Sequence, residues 1–205
     1  MTQTIAQDAA PNARTSADRE TMLQGQDVQC LKGFVARTYQ SAQEIPRETA
    51  NDFLLEYVAT QAAVYERENG VKVDAPAHIK GFWANIDRVL PPQGSYYLVW
   101  DAFGQLVGTG ALRRVDSTTG EMKHLYVRPE ARGSGLGRWL VEQRMRDARS
   151  MGLKSLIADT VRGNIEMPAL CAKLGFEETE PNARGASVSV MPELAAGLRY
   201  FRIDI

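Results

Sequence analysis

The chain has 205 residues, 44% of them hydrophobic, with 24 Lys and Arg against 25 Asp and Glu, a formal net charge of −1. That size suits one domain, or one domain plus a tail, with a core that stands without staples. Near-neutrality argues against a nucleic-acid protein relying on a global positive field, while two cysteines (Cys30, Cys171) and two histidines (His78, His124) exclude a four-thiolate zinc site and an HExxH pair.

There is no apolar run of roughly 18 residues or more, so no membrane span is expected. Residues 1–26 lack the apolar stretch of a secretory leader. These readings place the chain in a reducing, cytoplasmic setting, with no membrane and no nucleic-acid partner. Residues 1–26 contain no aromatic side chain, and bury too little to offset their ordering entropy. They are expected to form a mobile N-terminal arm, leaving residues 27–205 as a single domain.

The helical elements come first. Pro46 can open a helix, and Phe53, Leu54, Tyr57, Val58, Gln61, Ala62 and Tyr65 recur at helical spacing until Gly70. Asp74 is placed to cap a second helix that runs to Leu90 before Pro91-Pro92, with Ile79, Phe82, Trp83, Ile86 and Leu90 on its apolar face. Three strands follow at 96–100, 106–112 and 121–127, separated by polar turns, in an antiparallel meander. A glycine-rich loop, Arg132-Gly133-Ser134-Gly135-Leu136-Gly137, then leads into a helix ending near Met151. Val141, Met145, Ala148 and Met151 form its core face, and Arg144, Arg146 and Arg149 read as a solvated face. A buried strand at 156–158, a helix over 164–174, a short strand at 188–190 and a final strand over 198–205 complete the order. The fold class is α/β (α+β): a mixed, mostly antiparallel central sheet with helices on both faces.

The loop carries the chemistry. Gly133, Gly135 and Gly137 permit close backbone approach, and the first-turn amides of the following helix lack intrahelical acceptors. Together with the helix dipole they make an anion seat, flanked by Arg128, Arg132 and Arg138. A phosphate or pyrophosphate is the natural ligand. The Gly-Lys-Ser/Thr of a P-loop is absent. The dinucleotide fingerprint would need glycine where Arg138 stands, although Asp159 lies about 20 residues on, as that fingerprint requires.

The stretch from Met122 to Gly137, with Arg132, Gly135 and Gly137 in the pattern Arg/Gln-x-x-Gly-x-Gly/Ala, strongly resembles the central motif of the GCN5-related N-acetyltransferases (GNAT superfamily). Asn164 followed by Ala169-Leu170-Cys171-Ala172-Lys173-Leu174-Gly175-Phe176 resembles the second motif of that superfamily. The resemblance covers about residues 95–177. It implies acetyl-CoA as co-substrate and no metal. The amides from Arg132 through Gly133, Ser134, Gly135, Leu136 and Gly137 to Arg138 would hold the pyrophosphate. Leu125, Tyr126 and Val127 would pair with the pantetheine arm like an added strand, and Asn164 would touch CoA, in competition with a role as N-cap of the 164–174 helix that needs the same residue type. The backbone N–H of Leu125 would polarise the thioester carbonyl. Glu121, eleven positions before Arg132, matches the general-base position. His124 is the rival base, but strict strand alternation would point it away from Glu121. Cys171 stands where the motif has a proton-donating tyrosine; it is either that acid or a small buried hydrophobe.

The expected reaction is direct transfer of acetyl from acetyl-CoA to a primary amine, small or peptidic, in a ternary complex. The alternatives are a non-catalytic CoA-binding regulatory module and an unrelated nucleotide binder. Superfamily members are often dimers, so a homodimer is a possible assembly. Residues 46–90 and 177–198 would build the acceptor pocket. The acids Glu48, Asp52, Glu56, Glu66 and Glu68 there read as helix surface rather than an ammonium trap.

Overall fold

The computed structural model describes residues 25–182, 184–186 and 192–205. The expected arm, apart from its last two residues, and the expected strand at 188–190 lie outside the described residues. Eight strands form one sheet in the order β1-β2-β3-β4-β5-β6-β8-β7. They are β1 Gln26–Val28, β2 Phe34–Thr38, β3 Gly94–Asp101, β4 Leu106–Arg114, β5 Thr119–Val127, β6 Ser155–Val161, β7 Glu177–Thr179 and β8 Leu198–Asp204. All neighbouring pairs are antiparallel except β5 and β6. The mixed, mostly antiparallel sheet is as expected. β1, β2 and β7 are additions to the sequence reading; β1 begins at Gln26, the last residue assigned to the arm.

Helix α1 (Arg47–Asn69) buries Phe53, Leu54, Val58 and Tyr65 and ends on Gly70 in the left-handed conformation. Helix α2 (Ala75–Ala84) starts where Asp74 accepts a hydrogen bond from the Ala77 N–H at 2.9 Å. It stops six residues before the predicted end. Asn85 leaves helical geometry with φ −121° while its side-chain amide donates to the Gly81 carbonyl, and a 3-10 turn over Ile86–Val89 completes the segment. A short polar side chain that bonds nearby backbone competes with helix propagation. Both helices pack on one face of the sheet, against Tyr96, Leu98, Trp100 and Tyr126.

Helix α3 (Leu136–Ser150) covers the opposite face with Leu136, Leu140, Val141, Met145 and Ala148. Each large apolar side chain so buried contributes about 1.5–3 kcal/mol. Arg144 lies on that same face and is fully buried, so it is not part of the solvated face expected of it. The space it needs comes from Gly110 on β4, where a Cβ would lie 3.1 Å from the Arg144 Nε and 3.2 Å from its Cζ. Helix α4 (Glu166–Lys173) buries Cys171 on the α3 side of the sheet, next to Met122, Phe176 and Phe201.

Two irregularities in β5 position the site. The β4–β5 register runs Thr109 to Tyr126 and then Ala111 to Lys123, so one extra residue on β5 forms a bulge, and His124 takes a φ of +53°. The β5–β6 pairing covers only Thr119–Met122 against Ser155–Ala158. The β5–β6 ladder thus stops at Met122 and does not extend along residues 123–127.

Candidate active site

The fork between β5 and β6 is a cleft through the sheet. It is lined from the α1 and α2 side by Tyr57, Gln61 and His78, and from the α3 and α4 side by Leu125, Arg144 and Met167, with Asp159 and Asn164 at its wall. A second cavity of about 570 Å³ adjoins it; Lys123, His124 and His78 line both. Its walls come from residues 71–89, Ala186 and Leu194, within the segments expected to build an acceptor pocket, and from Arg113 on β4, which lies outside them.

The glycine-rich loop sits at one end of β5. Gly133 and Gly135 take φ values of +76° and +91°, which β-carbon-bearing residues rarely adopt. Gly135 precedes the first turn of α3, whose leading N–H groups have no intrahelical acceptor. Ser134 Oγ donates to the Ala131 carbonyl and accepts from the Leu136 N–H, at 2.7 and 3.3 Å, which holds the loop. Arg132 ties it to both flanking elements, from Nε to the Val127 carbonyl at 3.1 Å and from Nη1 to Glu166 at 2.8 Å. Two arginines expected to flank the seat are engaged elsewhere: Arg128 pairs with Glu56 on α1, and Arg138 with Glu142 one turn along α3. Asn164 Oδ1 accepts from the Glu166 and Met167 N–H groups and so caps α4.

Glu121 is 1% exposed and its carboxylate is engaged on both oxygens. Oε2 takes the Arg113 Nε–H; Oε1 takes the Ala186 N–H at 3.0 Å and lies 3.6 Å from Lys123 Nζ. It lines neither the fork nor the larger cavity. Lys123 also meets Asp159 at 3.4 Å; burial works against its ammonium, but Asp159 and Glu121 outweigh burial and raise its pKa above the ordinary lysine value. Replacing Glu121 by Gln leaves two enclosed cations short of a counter-charge. We expect a loss of about 3 kcal/mol, a fall of roughly 6–12 °C in Tm; a shift under 2 °C in a melting experiment would remove the ion pair from the stability of the fold.

His124 corrects the alternation argument. The bulge turns its ring onto the same face as Glu121 and Lys123, against Phe82 (centroids 4.6 Å), Tyr57 and His78. Burial, then the charge on Lys123, then His78 and Arg144, push its pKa well below 6.5. The ring is therefore neutral at pH 7, at the junction of the fork and the cavity. Because the unfolded chain binds this proton more readily, its contribution to stability is complete above about pH 6.5 and declines as pH falls.

Leu125 follows the bulge, its side chain turned toward α3 among the residues packed on Leu140 and Met122. Tyr126 points the other way, onto Phe53 and Tyr57, with its hydroxyl donating to Glu56 at 2.9 Å. Val127 closes the pairing with Gly108. Cys171 is 2% exposed among Met122, Val141 and Phe176, and burial pushes its thiol up to about 11. Glu48, Asp52, Glu56, Glu66 and Glu68 line neither the fork nor the cavity. Among the described residues no group of His, Cys, Asp and Glu has the arrangement of a metal site, and no helix is long and apolar enough to cross a membrane.

Known proteins share this architecture. A crystallised acetyltransferase from Streptococcus agalactiae matches 85% of the chain and all of its own with a TM-score of 0.63 at 19% identity. A PaiA N-acetyltransferase from Thermoplasma acidophilum, solved with coenzyme A, matches 83% of the chain and 99% of its own (TM-score 0.60, 15% identity). In sequence, an uncharacterized N-acetyltransferase from Schizosaccharomyces pombe is 35% identical over 92 residues, 44% of this chain and 56% of that protein. An IAA acetyltransferase from Azospirillum brasilense is 36% identical over 86 residues, 42% and 56% of the two chains. The match thus spans about half the length of these curated relatives. The model of the acetyltransferase (GNAT) family matches residues 60–176, from the second half of α1 to the end of the second motif, and the chain belongs to that family.

Proposed function

We propose that the protein transfers an acetyl group from acetyl-CoA directly to the nitrogen of a primary amine, with both substrates bound together. The observation that carries this reading is the fork: the β5–β6 ladder ends at Met122, and the cleft so opened, walled by Leu125, Asn164 and Met167, adjoins a second cavity at Lys123 and His124. The amides from Arg132 to Arg138 hold the pyrophosphate. The pantetheine arm lies along Leu125, Tyr126 and Val127 as an extra strand. The Leu125 N–H, next to the bulge and beyond the end of the β5–β6 ladder, donates to the thioester oxygen and takes up charge as it grows. Asn164 contributes from the facing wall.

The larger cavity takes the acceptor. Among the described residues, the side chains at its wall include Lys72 and Arg88, with Arg113 and Lys123 held from behind by Glu121, against one acid, Asp74, which is the cap of α2. Its inner wall is apolar, from Phe82, Val73 and Val89. Such a lining repels a polycation and suits an amine that also carries an anionic group. It also lowers the pKa of an entering ammonium, which eases its deprotonation. His124, neutral and at the junction, takes the proton; Glu121 acts at one remove, holding Lys123 and Arg113 in place. Cys171 serves as packing.

Two measurements test the reading in sequence. Calorimetry should detect binding of both CoA and acetyl-CoA; no heat with either overturns it. Thiol release across an amine panel should then favour amino carboxylates over polyamines. Binding without turnover on any amine would instead support a regulatory CoA-binding module, the reading that the absence of a tyrosine at Cys171 favours. Better protection by NAD or ATP than by CoA would point to a different nucleotide in the same seat.

A further inference from the structure

Arg144 is a buried cation. It is 0% exposed, and among the described residues it makes no ion pair. Nε donates to the Leu140 carbonyl at 2.9 Å, and Nη1 donates to the carbonyls of Ala111 and Lys123 at 3.1 and 3.2 Å. Those last two acceptors belong to residues that stand opposite each other in the β4–β5 register, at the edge of the β5 bulge. Nη2 has no hydrogen-bond partner among the described residues. Burial pulls the guanidinium down to about 10, against the pull of Asp147 and Tyr97; it remains charged at pH 7.

Satisfying two bulge carbonyls requires two N–H donors and no charge. A neutral amide would do it without the desolvation of a full cation, which costs several kcal/mol when uncompensated, and without an orphaned donor, which costs about 1–3 kcal/mol more. A retained charge with a spare N–H, at the wall of the substrate cleft, is explained by a ligand that brings negative charge to it. The fork offers one such species. Arg144 stands on α3, the helix whose Val141, Met145 and Ala148 pack in one cluster with Cys171, where the second motif otherwise supplies a proton donor.

We propose that Arg144 is a catalytic residue whose Nη2 faces the sulfur of the bound coenzyme and stabilises the thiolate that leaves. This rests on the acetyl-transfer reading above. The amine lone pair forms the N–C bond while the carbonyl π pair moves to oxygen. That pair then returns, the C–S bond breaks, and its electrons leave on sulfur as a thiolate. The amine proton goes to His124, and Arg144 keeps all of its own protons. No acid is needed at position 171, which accounts for a cysteine packed in the core there.

The test uses the binary complex with CoA, so it does not depend on knowing the acceptor. The thiol of bound CoA is titrated by its ultraviolet thiolate absorbance, and the same titration with desulfo-CoA is subtracted to remove Cys30 and Cys171. In the wild-type protein the bound thiol should ionise at least about one pH unit below its free value. In Arg144→Gln it should return to the free value while CoA affinity changes by less than about fivefold, and in Arg144→Lys it should be partly restored. A wild-type complex that binds CoA with an unshifted thiol overturns the proposal and leaves the acetyltransferase reading intact; so does an unchanged shift in Arg144→Gln. Failure to bind CoA at all overturns the acetyltransferase reading instead. Should the Gln variant not fold, the wild-type and Lys titrations still decide.

Discussion

Gly135→Asp should weaken CoA binding at least about 100-fold, or roughly 2.7 kcal/mol, while leaving the protein folded. Gly135 sits at φ +91° immediately before the first turn of α3. Aspartate is among the few residues that tolerate positive φ, at a cost of about 1–2 kcal/mol. A Cβ at this position meets only Leu31 Cδ1, at an ordinary 3.6 Å. The substitution therefore changes the seat chiefly by placing a carboxylate where the loop amides and the helix dipole converge on a diphosphate. Gly70→Asp is the matched control: it has φ +69°, no neighbour within 4 Å of a Cβ, and lies at the far end of α1. It should lose comparable stability and keep full affinity. If calorimetry finds Gly135→Asp binding CoA as tightly as Gly70→Asp, the diphosphate lies elsewhere.

The second large effect is expected at His124. Its imidazole is 9% exposed and faces Tyr57 on α1 and His78 and Phe82 on α2, and the charges of Lys123 on its own strand and Arg144 on α3 act on it. His124→Gln should lower kcat by 10²–10⁴, the usual range for a positioned base, with little change in the KM for acetyl-CoA. The neutral ring is the active form, so the wild-type kcat should rise with pH through the depressed pKa, below 6.5, and be flat above it. That step should vanish in the variant. Glu121→Gln gives the contrast: a less stable protein whose kcat, measured well below its melting temperature, falls less than that of His124→Gln. The reverse ranking would return the base to Glu121.

How much of this was written in the chain differs from element to element. Helix α3 and the loop before it are specified by short-range chemistry: three glycines, a polar loop and an apolar face at helical spacing. The same holds for the Gly70 stop, the Asp74 cap and the capping role of Asn164, each a bond between a residue and its near neighbours. β7, a three-residue exposed edge strand of Glu177–Thr179, has no pattern of its own because β8 supplies its pairing. Helix α2 was over-extended because Ile86 and Leu90 continue its apolar spacing, while one side-chain bond from Asn85 decides its end.

Residue chemistry and spacing along the chain sufficed for the glycine-rich loop before α3, the family and the order of elements from β3 to α4, since glycine conformation, capping and hydrophobic period act over a few residues. The direction of His124, the burial of Arg144 and the engagement of Glu121 arose only when the sheet assembled. A single extra residue in β5 reverses which face a side chain meets, Gly110 on the neighbouring strand makes room for a guanidinium, and the carboxylate of Glu121 is met by a backbone N–H 65 positions away. Those are contacts between segments distant in the chain, and no local pattern encodes them.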